Sequence, residues 1–135
     1  MDFDELLGGV KKIVDGHAAA DTEETDMHRL YKLVKAKRAK AAESFISKAN
    51  LSLDQRDLAG NTLLHAVILN EESSETIKIV VNLGFDINAR GKSDWTPLYL
   101  VRKYLRPTAT NKELHAWLVE QGAIAHPDLL GEAWS

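Results

Sequence analysis

Arg56-Asp57-Leu58-Ala59-Gly60-Asn61-Thr62-Leu63-Leu64-His65-Ala66 and Arg90-Gly91-Lys92-Ser93-Asp94-Trp95-Thr96-Pro97-Leu98-Tyr99-Leu100 are two versions of one pattern. The interval from Thr62 to Thr96 equals that from Leu64 to Leu98. Upstream, the same interval separates Leu51-Ser52-Leu53-Asp54-Gln55-Arg56 from Phe85-Asp86-Ile87-Asn88-Ala89-Arg90. A further copy of that element, Gly122-Ala123-Ile124-Ala125, follows Gly84-Phe85-Asp86-Ile87 after an interval longer by four. Self-similarity at a period of about 34 residues marks an architecture of stacked units, each burying its apolar face on a neighbour.

The residue types carry a physical reason at each position. A threonine hydroxyl caps the start of a helix, and proline is tolerated in the first turn. Leu64, Val67 and Ile68 then form an i, i+3, i+4 stripe, as do Leu98, Val101 and Tyr104 with Leu105. A second helix follows in each unit, with Ile77, Val80 and Val81 in one and Leu114, Trp117 and Leu118 in the other. Gly84 and Gly122 stand where such a helix ends in a left-handed residue.

These motifs resemble the ankyrin repeat. The family's T-P-L-H-x-A signature corresponds to Thr62-Leu63-Leu64-His65-Ala66 and to Thr96-Pro97-Leu98-Tyr99-Leu100, and its G-A-D-V-N-A signature to Gly84-Phe85-Asp86-Ile87-Asn88-Ala89. The second copy of the first signature lacks the histidine and the alanine. The resemblance implies an all-α solenoid of about three helix-turn-helix repeats, in which His65 is structural and bonds to backbone near the turn.

One period before Thr62 and Leu64 lie His28 and Leu30, so residues 27–36 and 39–49 read as the two helices of a degenerate first repeat. Leu30, Leu33 and Val34, then Phe45, Ile46 and Ala49, are its core residues, and Asn50 replaces the helix-ending glycine. In front of it, Phe3, Leu6, Leu7, Val10, Ile13 and Val14 share one face of an amphipathic helix over residues 2–15. That helix either caps the first repeat or docks into a partner's groove. The expected organisation is an N-terminal helix and acidic linker at 1–22, repeats at 23–56, 57–90 and 91–128, and a tail at 129–135. In the last repeat Thr96 to Gly122 is four residues longer than Thr62 to Gly84. Placed around Arg102–Asn111, the extra length predicts a longer first helix ended by Pro107 and a looser connection after it. Leu129, Leu130 and Trp134 of the tail are expected to fold over the last helices.

Composition bounds the function. An apolar fraction of 44% in 135 residues supports one real core, and 27% charged residues is ordinary for a soluble chain. Cysteine is absent, which removes thiolate chemistry and cysteine-ligated zinc and favours a reducing, cytoplasmic setting. Met1-Asp2-Phe3-Asp4-Glu5 lacks the basic-then-apolar pattern of a secretory signal, and no run approaches the ~20 apolar residues of a membrane span. Charge is polarised. Residues 1–26 hold two basic and eight acidic residues, whereas residues 27–56 hold eight basic and two acidic.

Chemistry-bearing patterns are missing. His17, His28, His65, His115 and His126 show no i, i+4 pairing of the kind that holds zinc on a helix. There is no phosphate-binding glycine loop and no G-x-S-x-G elbow, so no enzyme and no cofactor is expected. The run Lys32-Leu33-Val34-Lys35-Ala36-Lys37-Arg38-Ala39-Lys40 admits nucleic-acid binding, but it has only Tyr31 as a neighbouring aromatic and the chain is acidic overall.

The family resemblance implies that a partner protein is bound on a concave surface of turn tips and first helices. By position this selects Met27 and Lys35 in the first repeat, Leu58, Asn61, Leu69 and Asn70 in the second, and Lys92, Trp95, Lys103 and Tyr104 in the third. Trp95, Tyr104 and Leu58 are expected at its centre, because aromatics dominate interface hot spots, while Lys35, Lys92 and Lys103 steer an acidic segment. The expectation is a monomeric, non-catalytic protein-interaction module. The alternative is a dedicated inhibitor or regulator of one partner, such as an immunity protein, an antitoxin or an assembly chaperone.

Overall fold

The computed structural model describes residues 25–127, and among them every regular element is a helix. The N-terminal helix expected at 2–15, the acidic linker up to residue 22 and the tail at 129–135 lie outside the described residues. Six α-helices follow one another: α1 Asp26–Lys35, α2 Ala39–Ala49, α3 Leu63–Leu69, α4 Ser74–Asn82, α5 Pro97–Tyr104 and α6 Ala109–Glu120. A short 3-10 turn, Lys92–Asp94, precedes α5.

Helix starts follow hydroxyl chemistry. Thr25, Ser73, Thr96 and Thr108 each accept a backbone N–H three residues on through the side-chain oxygen, and Thr62 forms a reciprocal cap with His65. The cap of α1 is thus Thr25, three residues before the register position His28, and α1 is correspondingly longer than α3. Only α2, entered from Arg38, lacks a side-chain cap.

Packing pairs α1 with α2, α3 with α4, and α5 with α6. The connections inside these pairs are short, which makes their helices antiparallel neighbours. Helix α3 also contacts α1 on one side and α5 on the other, and α4 contacts α6. One core runs through all of it. Leu30 and Val34 of α1 join Ala42 of α2, Leu63, Leu64, Val67 and Ile68 of α3, Ile77 and Val80 of α4, Leu98 and Val101 of α5, and Leu114 and Leu118 of α6. The seven-residue α3 is buried nearly all round, as a helix sandwiched between two others must be. Two expected core residues differ: Ala49 is exposed, and Tyr104 lies at the surface because α5 turns its Val101 face inward.

The backbone recurs at the period of the sequence. Lys37 and Glu71 both adopt left-handed φ (62° and 54°), and the bonds Lys37 N–H to Val34 O and Arg38 N–H to Leu33 O reappear as Glu71 N–H to Ile68 O and Glu72 N–H to Val67 O. Asn50 and Gly84 end α2 and α4 at φ 54° and 108°. The tip closed by Asp57 N–H to Asn61 O recurs as Gly91 N–H to Trp95 O, with Gly60 left-handed in the first and both Ser93 and Asp94 in the second.

The insertion falls elsewhere than expected. Helix α5 has 8 residues against 7 in α3, and α6 has 12 against 9 in α4. Those differences absorb all four extra residues, so the connection Leu105–Thr108 is no longer than Asn70–Ser73. Helix α5 has already ended at the extended Leu105; Pro107 disfavours helical φ/ψ at Arg106, so the helix cannot resume there, and Thr108 then caps α6 at once.

Candidate functional site

Successive turn tips are joined by side chains that reach into the next unit. Arg56 donates to the carbonyl of Arg90, and Asn88 Nδ2 donates to the carbonyl of Gly122 at 3.0 Å; each step spans 34 residues. Asn61 Oδ1 accepts the N–H of Lys92 at 2.9 Å. Gly91 lies so close to this link that a Cβ would sit 2.2 Å from Asn61 Oδ1.

His65 is fully buried within this network. Its Nδ1 accepts the N–H of Thr62 at 3.1 Å and its Nε2–H donates to the carbonyl of Trp95 at 3.0 Å. The two backbone partners assign the neutral Nε2–H tautomer. Burial holds the imidazole below the ordinary histidine value; the carbonyls oppose that shift and the Arg56 charge adds to it. In the next unit Tyr99 occupies the histidine's register position, and Thr96 supplies the bonding instead. Its Oγ1 donates to Ile124 O at 2.7 Å and accepts from His126 N–H at 2.9 Å.

That exchange frees the Tyr99 ring to pack on Trp95, with centroids 4.9 Å apart and planes tilted by 38°. Tyr104 lies 6.3 Å from Trp95. The Lys103 ammonium rests over all three rings, 5.6 Å from Trp95, 5.9 Å from Tyr104 and 6.0 Å from Tyr99. Trp95 is half-buried and Tyr104 is 44% exposed, so the cluster is an anchored aromatic platform with an ammonium on it.

A second place collects other residues of the expected site. An open groove of about 620 Å³ runs between α1 and α3. Met27, His28, Tyr31 and Lys35 line it from α1, and Leu63, Ala66 and the adjoining Asn70 from α3, with Thr25 and Glu72 completing the rim. The Tyr31 hydroxyl donates to Glu72 and accepts from Asn70 Nδ2 at 3.0 Å. Burial and the bond to Glu72 push the Tyr31 pKa up to about 12.

The ten expected residues therefore fall into several sets. Trp95, Lys103 and Tyr104 form the platform, and Met27, Lys35 and Asn70 line the groove. Leu58 projects from its tip at 109% exposure, Lys92 is exposed at the corresponding position of the next tip, and Leu69 is 37% exposed at the end of α3. Asn61 is buried with its amide oxygen engaged, so it braces the tips and offers a partner little surface. Sequence reasoning passed over Tyr99, Tyr31 and Glu72. The signal for Tyr99 was its place in register with His65; for the Tyr31–Glu72 pair, 41 residues apart, no pattern existed.

Among the described residues no group of three or more histidines or carboxylates is placed to hold a metal ion, and no helix is long and apolar enough to cross a membrane. No protein-family model matches the chain, and no curated protein matches it in sequence.

Proposed function

We propose that this chain is a short ankyrin-type solenoid of about three repeats that binds another protein, without catalysis, through its turn tips and first helices. The recurrence of backbone geometry at the sequence period supports the repeat reading, from Lys37 and Glu71 through Asn50 and Gly84 to the two bonded tips. So do the bridges from Arg56 and Asn88 into the following unit. The row of contacts from α1 through α3 to α5 is what stacked helical pairs produce.

The observation that carries the binding reading is the platform of Trp95, Tyr99 and Tyr104 under Lys103, with Leu58 fully exposed on the neighbouring tip. An exposed leucine at a turn adds nothing to the core. Beside a rigid aromatic cluster it forms the apolar centre of an interface, and half-buried aromatics bind with little loss of side-chain entropy. Lys35, Lys92 and Lys103 at the surface favour a partner segment bearing carboxylates.

Affinity capture with the full chain from native lysate, run in parallel with Tyr104→Ala and Lys103→Glu, tests this. A specific partner is expected to be retained by the native chain and depleted with both variants. Retention of the same proteins in equal amounts by all three removes the platform from the interface.

A further inference from the structure

We propose that residues 2–15 of this chain act as an internal ligand for the groove between α1 and α3, which a protein partner has to displace. This deepens the binding reading above and rests on it. The groove presents the partly exposed Met27, Tyr31 and Ala66 over the buried Leu63, with Lys35 and Glu72 on its rim. Residues 2–15 carry the complementary pattern: Phe3, Leu6, Leu7, Val10, Ile13 and Val14 at helical spacing, the arrangement that seats an amphipathic helix in a groove.

Three observations choose this occupant. The first is where the chain enters. Thr25 both caps α1 and lines the groove, so the preceding residues leave from the rim of the groove itself. The second is reach. The nine residues 16–24 span up to ~30 Å when extended. That exceeds the ~15 Å length of the ten-residue α1 alongside the groove. The third is charge. Residues 1–24 hold seven acidic and two basic residues, against eight basic and two acidic in residues 27–56. Tethering supplies the rest. At an effective concentration on the order of 1 mM, an intrinsic Kd of ~0.1 mM keeps the groove about 90% filled. A partner that needs the groove then binds about tenfold more weakly than it would to an empty one.

The chain has no cysteine, so Lys12→Cys in the full-length protein carries one nitroxide label on the polar side of the apolar stripe. Paramagnetic broadening of backbone amide signals is then read at Ala66 and Asn70, which are remote from residue 12 in sequence. Strong broadening there, abolished by adding Leu6→Asp and Leu7→Asp, is the expected result. Broadening centred on Ala41 and Phe45 of α2 makes the segment an end cap and overturns the proposal. So does broadening that survives the two aspartates, or its absence from α3. Broadening of an isotope-labelled, nitroxide-free chain mixed with the nitroxide-labelled one puts a second copy's segment in the groove, which also overturns it. No partner enters this measurement, so its failure is separable from a failure of the capture experiment.

Discussion

The Nε2–H of His65 donates to the carbonyl oxygen of Trp95 at 3.0 Å, joining one turn tip to the residue that anchors the aromatic platform on the next. On the other side of the ring Nδ1 accepts the N–H of Thr62, and that second bond needs a neutral imidazole. The unfolded chain imposes no such demand, and this difference makes stability depend on pH.

Burial lowers the His65 pKa; it also lowers that of His115, where the Arg102 charge adds to the effect. Below the ordinary value of about 6.5 the unfolded state therefore binds more protons than the folded one. Stability from these groups is complete above that value and is lost as the pH falls toward the depressed folded values. The thermal midpoint should hold between pH 7 and 8 and decline from pH 6.5 downward. His115→Gln, whose side-chain oxygen can still accept from Arg102, should make that decline shallower. A midpoint that rises on mild acidification contradicts the assignment.

Tyr31 acts at the other end of the scale. With its pKa raised to about 12, the phenol is favoured in the fold, so its contribution is complete below pH ~10 and lost as the pH climbs through the folded value. Ultraviolet titration of phenolate absorbance should show one tyrosine ionising late, and Tyr31→Phe should remove that phase. The substitution leaves Glu72 and Asn70 able to reach water, so it should cost only about 1 kcal/mol.

Two glycines separate crowding from backbone strain. At Gly91 an added Cβ meets Asn61 Oδ1 at 2.2 Å and His65 Nε2 at 2.9 Å, breaking both links between the tips. Gly91→Ala should destabilise by at least ~2 kcal/mol, a fall of roughly 10 °C in Tm. Gly60, at φ +91° with open space around it, carries only the left-handed penalty. Gly60→Ala should cost about 1 kcal/mol. Denaturant unfolding of the two variants checks the order.

The helix stripe needs no aromatic at a turn tip, yet Trp95 is more than a surface residue. Its ring packs on Tyr99 and touches the core, so Trp95→Ala should cost about 2 kcal/mol before any partner is added. Leu58 is the cleaner probe, and Leu58→Asp should change stability by less than about 0.5 kcal/mol.

Local chemistry was readable in advance; contacts over distance were not. The caps at Thr62 and Thr96, the left-handed ends at Asn50, Gly84 and Gly122, and the stripes of α3 and α4 each depend on residues a few positions apart. Pro107 was assigned the right effect in the wrong place, because the restraint falls on Arg106 and α5 had already ended. The burial of Asn61 depends on a backbone N–H 31 residues away, and the groove wall at Tyr31 on a carboxylate 41 residues away. Pairings of that kind leave no period to find.

The most direct measurement is the affinity of the captured partner for the full chain and for the double variant Leu58→Asp, Tyr104→Ala, by calorimetric titration. Both side chains are solvent-exposed, so the thermal midpoint of the double variant should stay within a few degrees of the native value. Loss of a hot spot is worth ~2 kcal/mol or more, so Kd should rise at least about thirtyfold. An unchanged Kd with an unchanged midpoint would contradict binding through the tips and the aromatic platform.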